Sequence, residues 1–154
     1  MEEPRVVELP DYRVAKLRYA GPNPPAEEFL DHWRLFLALA AQLELSSQIE
    51  GVQAIGYAPP VPVSSDVLVY DSCLPLATDF DATGIVQLDI GMVPGGRYVL
   101  CSGPVTEVPE LLAAAKRYAM AHGLAIERGR IEVYRPLPEG TEVTPVDAGY
   151  RVHD

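Results

Sequence analysis

Two short stretches decide the fold: Tyr19-Ala20-Gly21-Pro22 and Cys101-Ser102-Gly103-Pro104. Each closes a strand-like segment, and each is followed by a helical pattern and then by further strand-like segments. Repetition of one supersecondary unit within a chain is the sequence mark of a duplicated architecture. Working outward from the first copy, Arg5 to Tyr19 has strand character, interrupted by the turn Leu9-Pro10-Asp11. After Gly21-Pro22, Asn23 is placed to cap a helix predicted over about Ala26 to Leu45. Proline at 24 and 25 suits its first turn. Phe29, Trp33, Phe36 or Leu37, and Ala40 recur at three- and four-residue spacing and predict a wide buried face, whereas Glu27, Glu28 and Asp31 predict a solvated start favoured by the helix dipole. Strands are expected over Val52 to Tyr57 and Val67 to Leu76, separated by the loop Ala58-Pro59-Pro60-Val61-Pro62.

The second copy opens after a polar turn near Asp79 to Gly84 and a strand over Ile85 to Val93. Pro94-Gly95-Gly96 turns the chain into a strand over Arg97 to Ser102. Gly103-Pro104 then leads to a helix with Thr106 as its cap and Val108, Leu112, Ala115 and Ala119 as its apolar stripe. Gly123 is suited to end that helix in the left-handed conformation. Strands over Gly129 to Arg135 and Ala148 to His153 complete the unit. Two such units, about 1–78 and 79–154, predict a single α+β domain. Its sheet is mostly antiparallel, both helices lie on one face, and a cleft opens at the pseudo-twofold seam.

Composition narrows the function. The chain has 154 residues, 48% of them apolar, enough for a real core. Twelve Lys and Arg stand against 22 Asp and Glu, a net charge of −10, so the surface repels phosphate and direct nucleic-acid binding is not expected. The longest apolar run, Leu35 to Ala41, falls short of the roughly 20 residues that span a bilayer. The acidic start lacks the apolar stretch of a secretory signal, which points to the cytoplasm. Cys73 and Cys101 sit in apolar strands with no C-x-x-C partner and are expected to be small, reduced core residues. His32, His122 and His153 lack metal-ligand spacing, and no glycine loop of a nucleotide site or nucleophile elbow is present, so no metal or cofactor is predicted.

The order Leu9-Pro10, Val14-Ala15, Tyr19-Ala20-Gly21-Pro22, Trp33, Ile55-Gly56-Tyr57, Tyr70-Asp71-Ser72-Cys73, Pro94-Gly95-Gly96-Arg97-Tyr98, Gly103-Pro104 and Glu132-Val133-Tyr134 resembles the gyrase-inhibitor-like small-molecule binding family. That family includes effector-binding domains of multidrug-sensing transcription activators. The resemblance covers nearly the whole chain and implies two strand-helix-strand-strand modules with an aromatic-lined ligand cleft between them. It also implies a carboxylate in the cleft, carried by Glu132. Strand alternation sends Arg130, Glu132 and Tyr134 to one side and Ile131 and Val133 to the other. If the latter two pack on the helices, Glu132 faces the cleft. Aligning Tyr57 with Tyr134 sets Glu132 against Ile55, so one module alone supplies the charge. Tyr134, Tyr57, Tyr70 and Trp33 are the expected ligand-binding aromatics, since such rings stack on flat or cationic compounds.

The expectation is therefore a free-standing small-molecule binding protein whose cleft takes amphipathic, aromatic, cationic organic compounds. Two other classes stay open. The resembled family includes hydrolases of strained electrophilic natural products, for which Glu132 would be the catalytic group. It also includes gyrase inhibitors, which act on a macromolecule. Neither a homodimer nor a protein partner is decided by the sequence. The loop Ala58 to Pro62 departs from the family pattern, which carries acidic residues there.

Overall fold

The computed structural model describes residues 2–60 and 67–154. Val61 and Pro62 of the proline-rich loop lie outside the described residues. The elements run β1 (Arg5–Leu9), β2 (Tyr12–Pro22), α1 (Ala26–Gln42), β3 (Ala54–Ala58), β4 (Val67–Leu76), β5 (Asp89–Val93), β6 (Gly96–Pro104), a 3-10 turn (Val105–Glu107), α2 (Val108–Ala121), β7 (Ala125–Ile126), β8 (Arg130–Tyr134) and β9 (Pro145–His153). Every described strand pairing is antiparallel. The order across the curled sheet is β1-β6-β9-β8-β3-β4-β2-β5, with β7 added to β9. No helix among the described residues is long and apolar enough to cross a membrane.

The order contains two three-strand groups, β6-β9-β8 and β3-β4-β2, each with its helix after the first strand and joined through β3 and β8. This is the α+β architecture of two strand-helix-strand-strand modules. Each outer edge is covered by a strand from elsewhere in the chain: β1, which precedes β2, pairs with β6, and β5, which precedes β6, pairs with β2. This pairs the outer sides of β6 and β2 and leaves the sheet edges to the short strands β1 and β5, the kind of edge that least invites further strands. Asp11 helps hold this exchange, because its Oδ1 accepts a 2.6 Å bond from the Gly95 amide.

The Gly-Pro signals lie at equivalent places but extend the strands instead of ending them. Gly21 pairs with Leu68 and Pro22 with Val67, as Gly103 pairs with Val146 and Pro104 with Pro145. The helix starts consequently shift. Pro25, not Asn23, stands at the N-cap of α1, and Glu107, not Thr106, at that of α2; neither has a side-chain capping bond. The stiff Pro24-Pro25 pair and the 3-10 turn do the positioning. Helix α1 also stops short of Leu45, because Glu44 takes φ 56° and the Leu45 amide turns back to the Ala40 carbonyl. Gly123, with φ 68°, ends α2 as its conformational freedom suggests.

Three cores follow from the curl. Helix α2 packs Leu111, Leu112, Ala115 and Ala119 on Val99, Cys101, Val146, Ala148 and Val152. Helix α1 packs Phe36 and Ala40 on Ala15, Leu74 and Leu76, but Leu30, Leu35 and Leu37 remain half exposed. The wide buried face expected of α1 is a narrow stripe, so this helix leaves apolar side chains facing open space. The third core is lined almost entirely by strands: Tyr12, Val14, Ile55, Cys73, Val93, Tyr98, Leu100, Ile131 and Val133 fill the opposite side of the sheet. Ile131 and Val133 therefore pack inside the curl, away from the helices. Glu132 and Tyr134 are on the helix face.

Candidate functional site

The seam between the modules is built from the helix-side residues of β3 and β8. Ala54 stands opposite Tyr134, Gly56 opposite Glu132, and Ala58 opposite Arg130. The small residues on β3 leave the space above the seam to side chains arriving from β8, β4 and α1. Helix α1 forms one wall, and the segment after β6 with the residue before β9 forms the other. Between them lies a cavity of about 400 Å³, lined in part by Leu30, Trp33, Leu37, Leu74, Val105 and Tyr134. A volume of this order accommodates an organic molecule, and apolar walls with few polar groups are the usual character of such sites.

Glu132 lies beside this cavity, fully enclosed at 2% exposure. Its Oε1 accepts hydrogen bonds from the Tyr70 hydroxyl at 2.8 Å and the Tyr134 hydroxyl at 2.7 Å, and its Oε2 accepts one from Arg130 Nε at 3.1 Å. Burial of a carboxylate is tolerated when it is paired and hydrogen-bonded in this way. Trp33 Nε1 donates to the Tyr70 oxygen at 3.2 Å, which continues the network into α1. Burial, and next the Glu132 charge, push the phenols of Tyr70 and Tyr134 well above their ordinary range, so both remain protonated donors.

The aromatic rings interlock by edges. Trp33 meets Tyr134 at 5.4 Å between centroids and Tyr70 at 6.2 Å, while Phe29 meets Tyr70 at 4.6 Å. The Tyr70 hydroxyl lies directly over Gly56: a Cβ there would overlap the Tyr70 oxygen and stand 2.8 Å from Glu132 Oε1. Gly56 is thus required by a close approach. Ser72, across Gly56 in the same row of the sheet, buries a hydroxyl with no partner among the described residues.

Of the residues singled out from the sequence, Trp33, Tyr70, Glu132 and Tyr134 come together. Tyr57 does not. It pairs with Ile131 and Asp71 and packs on the core inside the curl, near Tyr98 and Arg151. The alignment of Tyr57 with Tyr134, which sets Glu132 against Ile55, is off by three residues. Strand registers starting from the two Gly-Pro steps make Ala58 the counterpart of Glu132, so the charge still belongs to one module. Arg130, Gly56 and the leucines of α1 were not recognised as site residues. The spacing Arg130, Glu132, Tyr134 was the available signal for the first, since alternate strand residues share a face.

The other buried acids serve ion pairs elsewhere. Asp71 faces the opposite side, held by Arg18 at 2.8 and 3.0 Å and by Lys16 at 3.3 Å. Asp147 is gripped by two nitrogens of Arg135. Among the described residues no group of three His, Cys, Asp or Glu side chains is placed to hold a metal ion. Cys73 and Cys101 are buried free thiols, and burial pushes the Cys73 thiol far above its ordinary range.

Comparison with known proteins adds three findings. The sequence matches the GyrI-like small molecule binding domain over residues 2–149. No curated protein sequence matches the chain. Among solved structures, SAV2435 bound to tetraphenylphosphonium is similar with a TM-score of 0.70 at 15% identity, covering 99% of this chain and 94% of that one. The EcmrR C-terminal domain is similar with a TM-score of 0.70 at 11% identity, covering 98% and 97%. A hydrolase from Listeria innocua is similar with a TM-score of 0.55 at 11% identity, covering 98% and 92%. At such identities these likenesses are likenesses of fold.

Proposed function

Because the chain belongs to the family of GyrI-like small molecule binding domains, we propose that the cavity between α1 and the β3–β8 seam takes an amphipathic aromatic cation. One observation carries this reading. The Glu132 carboxylate is buried behind the Trp33–Tyr134 wall, hydrogen-bonded to the Tyr134 that lines an otherwise almost wholly apolar cavity. Rings supply stacking and the attraction of their faces for positive charge, and the carboxylate supplies the complementary charge at low dielectric. Tetraphenylphosphonium, the compound bound to SAV2435, has this chemistry, with a delocalised cation inside an aromatic shell.

Binding is favoured over turnover by the state of Glu132. A general base needs a free carboxylate lone pair within reach of a water. Here two phenols fill Oε1, the Arg130 guanidinium holds Oε2, and at 2% exposure the group is closed to solvent water. The Listeria innocua hydrolase keeps turnover as an outcome to be tested, and consumption of an electrophilic ester or epoxide by this protein would replace the binding reading.

The direct test is thermal unfolding with methyltriphenylphosphonium and, as its neutral partner, triphenylphosphine oxide. A ligand of the native state at about 100 times its Kd adds about 2.7 kcal/mol of stability, which moves Tm by roughly 5–10 °C for a domain of this size. The cation is expected to reach this shift at lower concentration than the oxide. No shift from either at saturating concentration would contradict the reading.

A further inference from the structure

The free protein already holds a cation where the charge of the proposed ligand belongs. Arg130 donates to Glu132 Oε2 at 3.1 Å, and its guanidinium carbon stands 5.9 Å from the centroid of the Tyr70 ring. A carboxylate beside an aromatic face is the pair of groups that recognises an organic cation. The Arg130 side chain is 32% exposed, whereas that of Glu132 is 2% exposed. The guanidinium reaches in from solvent and has water to return to. Its cross-strand neighbour on β3 is the small Ala58, which leaves no large side chain on that strand beside it.

Its grip is also weaker than that of the other arginines hydrogen-bonded to buried acids. Arg18 holds Asp71 through two nitrogens, and Arg135 holds Asp147 through two. Arg130 bonds Glu132 through Nε alone. A two-nitrogen fork fixes geometry and adds strength that a single contact lacks.

We propose that Arg130 is an internal stand-in for the ligand's cation: it holds Glu132 in the free protein and is displaced into solvent when a cationic ligand binds. This inference rests on the reading that the cavity takes an aromatic cation. A cation must break the Arg130–Glu132 contact before it can pair with the carboxylate, whereas a neutral aromatic compound fills the apolar cavity with that contact intact. Arg130 therefore narrows the difference in affinity between cations and neutral analogues, and it sets how strongly charged a ligand must be to win the site.

The test is the ratio of affinities for methyltriphenylphosphonium and triphenylphosphine oxide, measured by titration calorimetry on the whole chain. In R130Q, and in R130M, which keeps an unbranched apolar stem, the ratio is expected to rise about tenfold in favour of the cation, the scale of one charge-assisted hydrogen bond. Adding E132Q to R130Q is expected to abolish the gain. A ratio that stays the same or falls in both Arg130 variants, with the wild-type protein still binding, would overturn the stand-in role and leave the proposed function intact. Failure of the wild-type protein to bind either compound would overturn that function and the inference with it.

Discussion

Replacing Glu132 with glutamine is expected to weaken methyltriphenylphosphonium binding by about 1.5–3 kcal/mol, or roughly 10- to 150-fold, the contribution of a hydrogen-bonded charge. The amide keeps the volume, and its carbonyl oxygen can accept from both phenols, so the Tyr70 and Tyr134 rings stay where Oε1 now holds them. Two electrostatic losses add. The ligand loses its counter-charge, and Arg130, no longer neutralised, becomes an unpaired positive group beside the cavity. Triphenylphosphine oxide relies on the apolar lining and is expected to lose less than about twofold. Calorimetry on both compounds distinguishes the roles. Equal losses for the two would mean that Glu132 shapes the cavity without reading charge.

Gly56→Ala is expected to cost about 2–3 kcal/mol of folding stability, at the upper end for an added methyl in a packed interior. The new methyl would overlap the Tyr70 hydroxyl and press on Glu132 Oε1, so the group must either leave its bonds or push the strands apart. Displacing Tyr70 leaves Trp33 Nε1 and Glu132 each short of a partner. Tyr70→Phe alone also loses those bonds, but it removes the atom that the methyl meets first. The double variant is therefore expected to be more stable than the sum of the two single changes predicts, a non-additivity typical of residues in contact. Denaturant unfolding of the four proteins measures it. Strict additivity would show that the close approach over Gly56 is not what the alanine disturbs.

Much of the architecture was legible because it rests on local signals. The Gly-Pro steps, the helical spacing of Phe29, Trp33 and Phe36, and the alternation through β8 are short-range properties of the chain, and they suffice for the α+β class and for both helices on one face. What failed depended on long-range partners. Alternation separates Ile131 from Glu132 correctly, but it cannot say which of two cores Ile131 enters, and a curled sheet has a strand-lined core as well as helix-covered ones. Asn23 and Thr106 are good capping residues, yet the strands before them run on past Gly21 and Gly103 because β4 and β9 are there to pair with. Tyr57 is a strand aromatic like Tyr70, and only the pairing of β3 with β4 and β8 shows that it faces the strand-lined core. Arg130 escaped notice as a site residue because its significance depends on Tyr70, which arrives from β4.

The claim on which the rest depends is that ligand enters the cavity lined by Trp33 and Tyr134. Trp33 is the single tryptophan of the chain, so intrinsic indole emission reports on that wall alone. Its Nε1 bond to Tyr70 and its edge contacts with Tyr70 and Tyr134 make the indole sensitive to any change of occupant. Titration with methyltriphenylphosphonium is expected to give a saturable change in Trp33 emission whose midpoint agrees with the calorimetric Kd. Calorimetric saturation with the emission unchanged would place the ligand elsewhere and contradict the account.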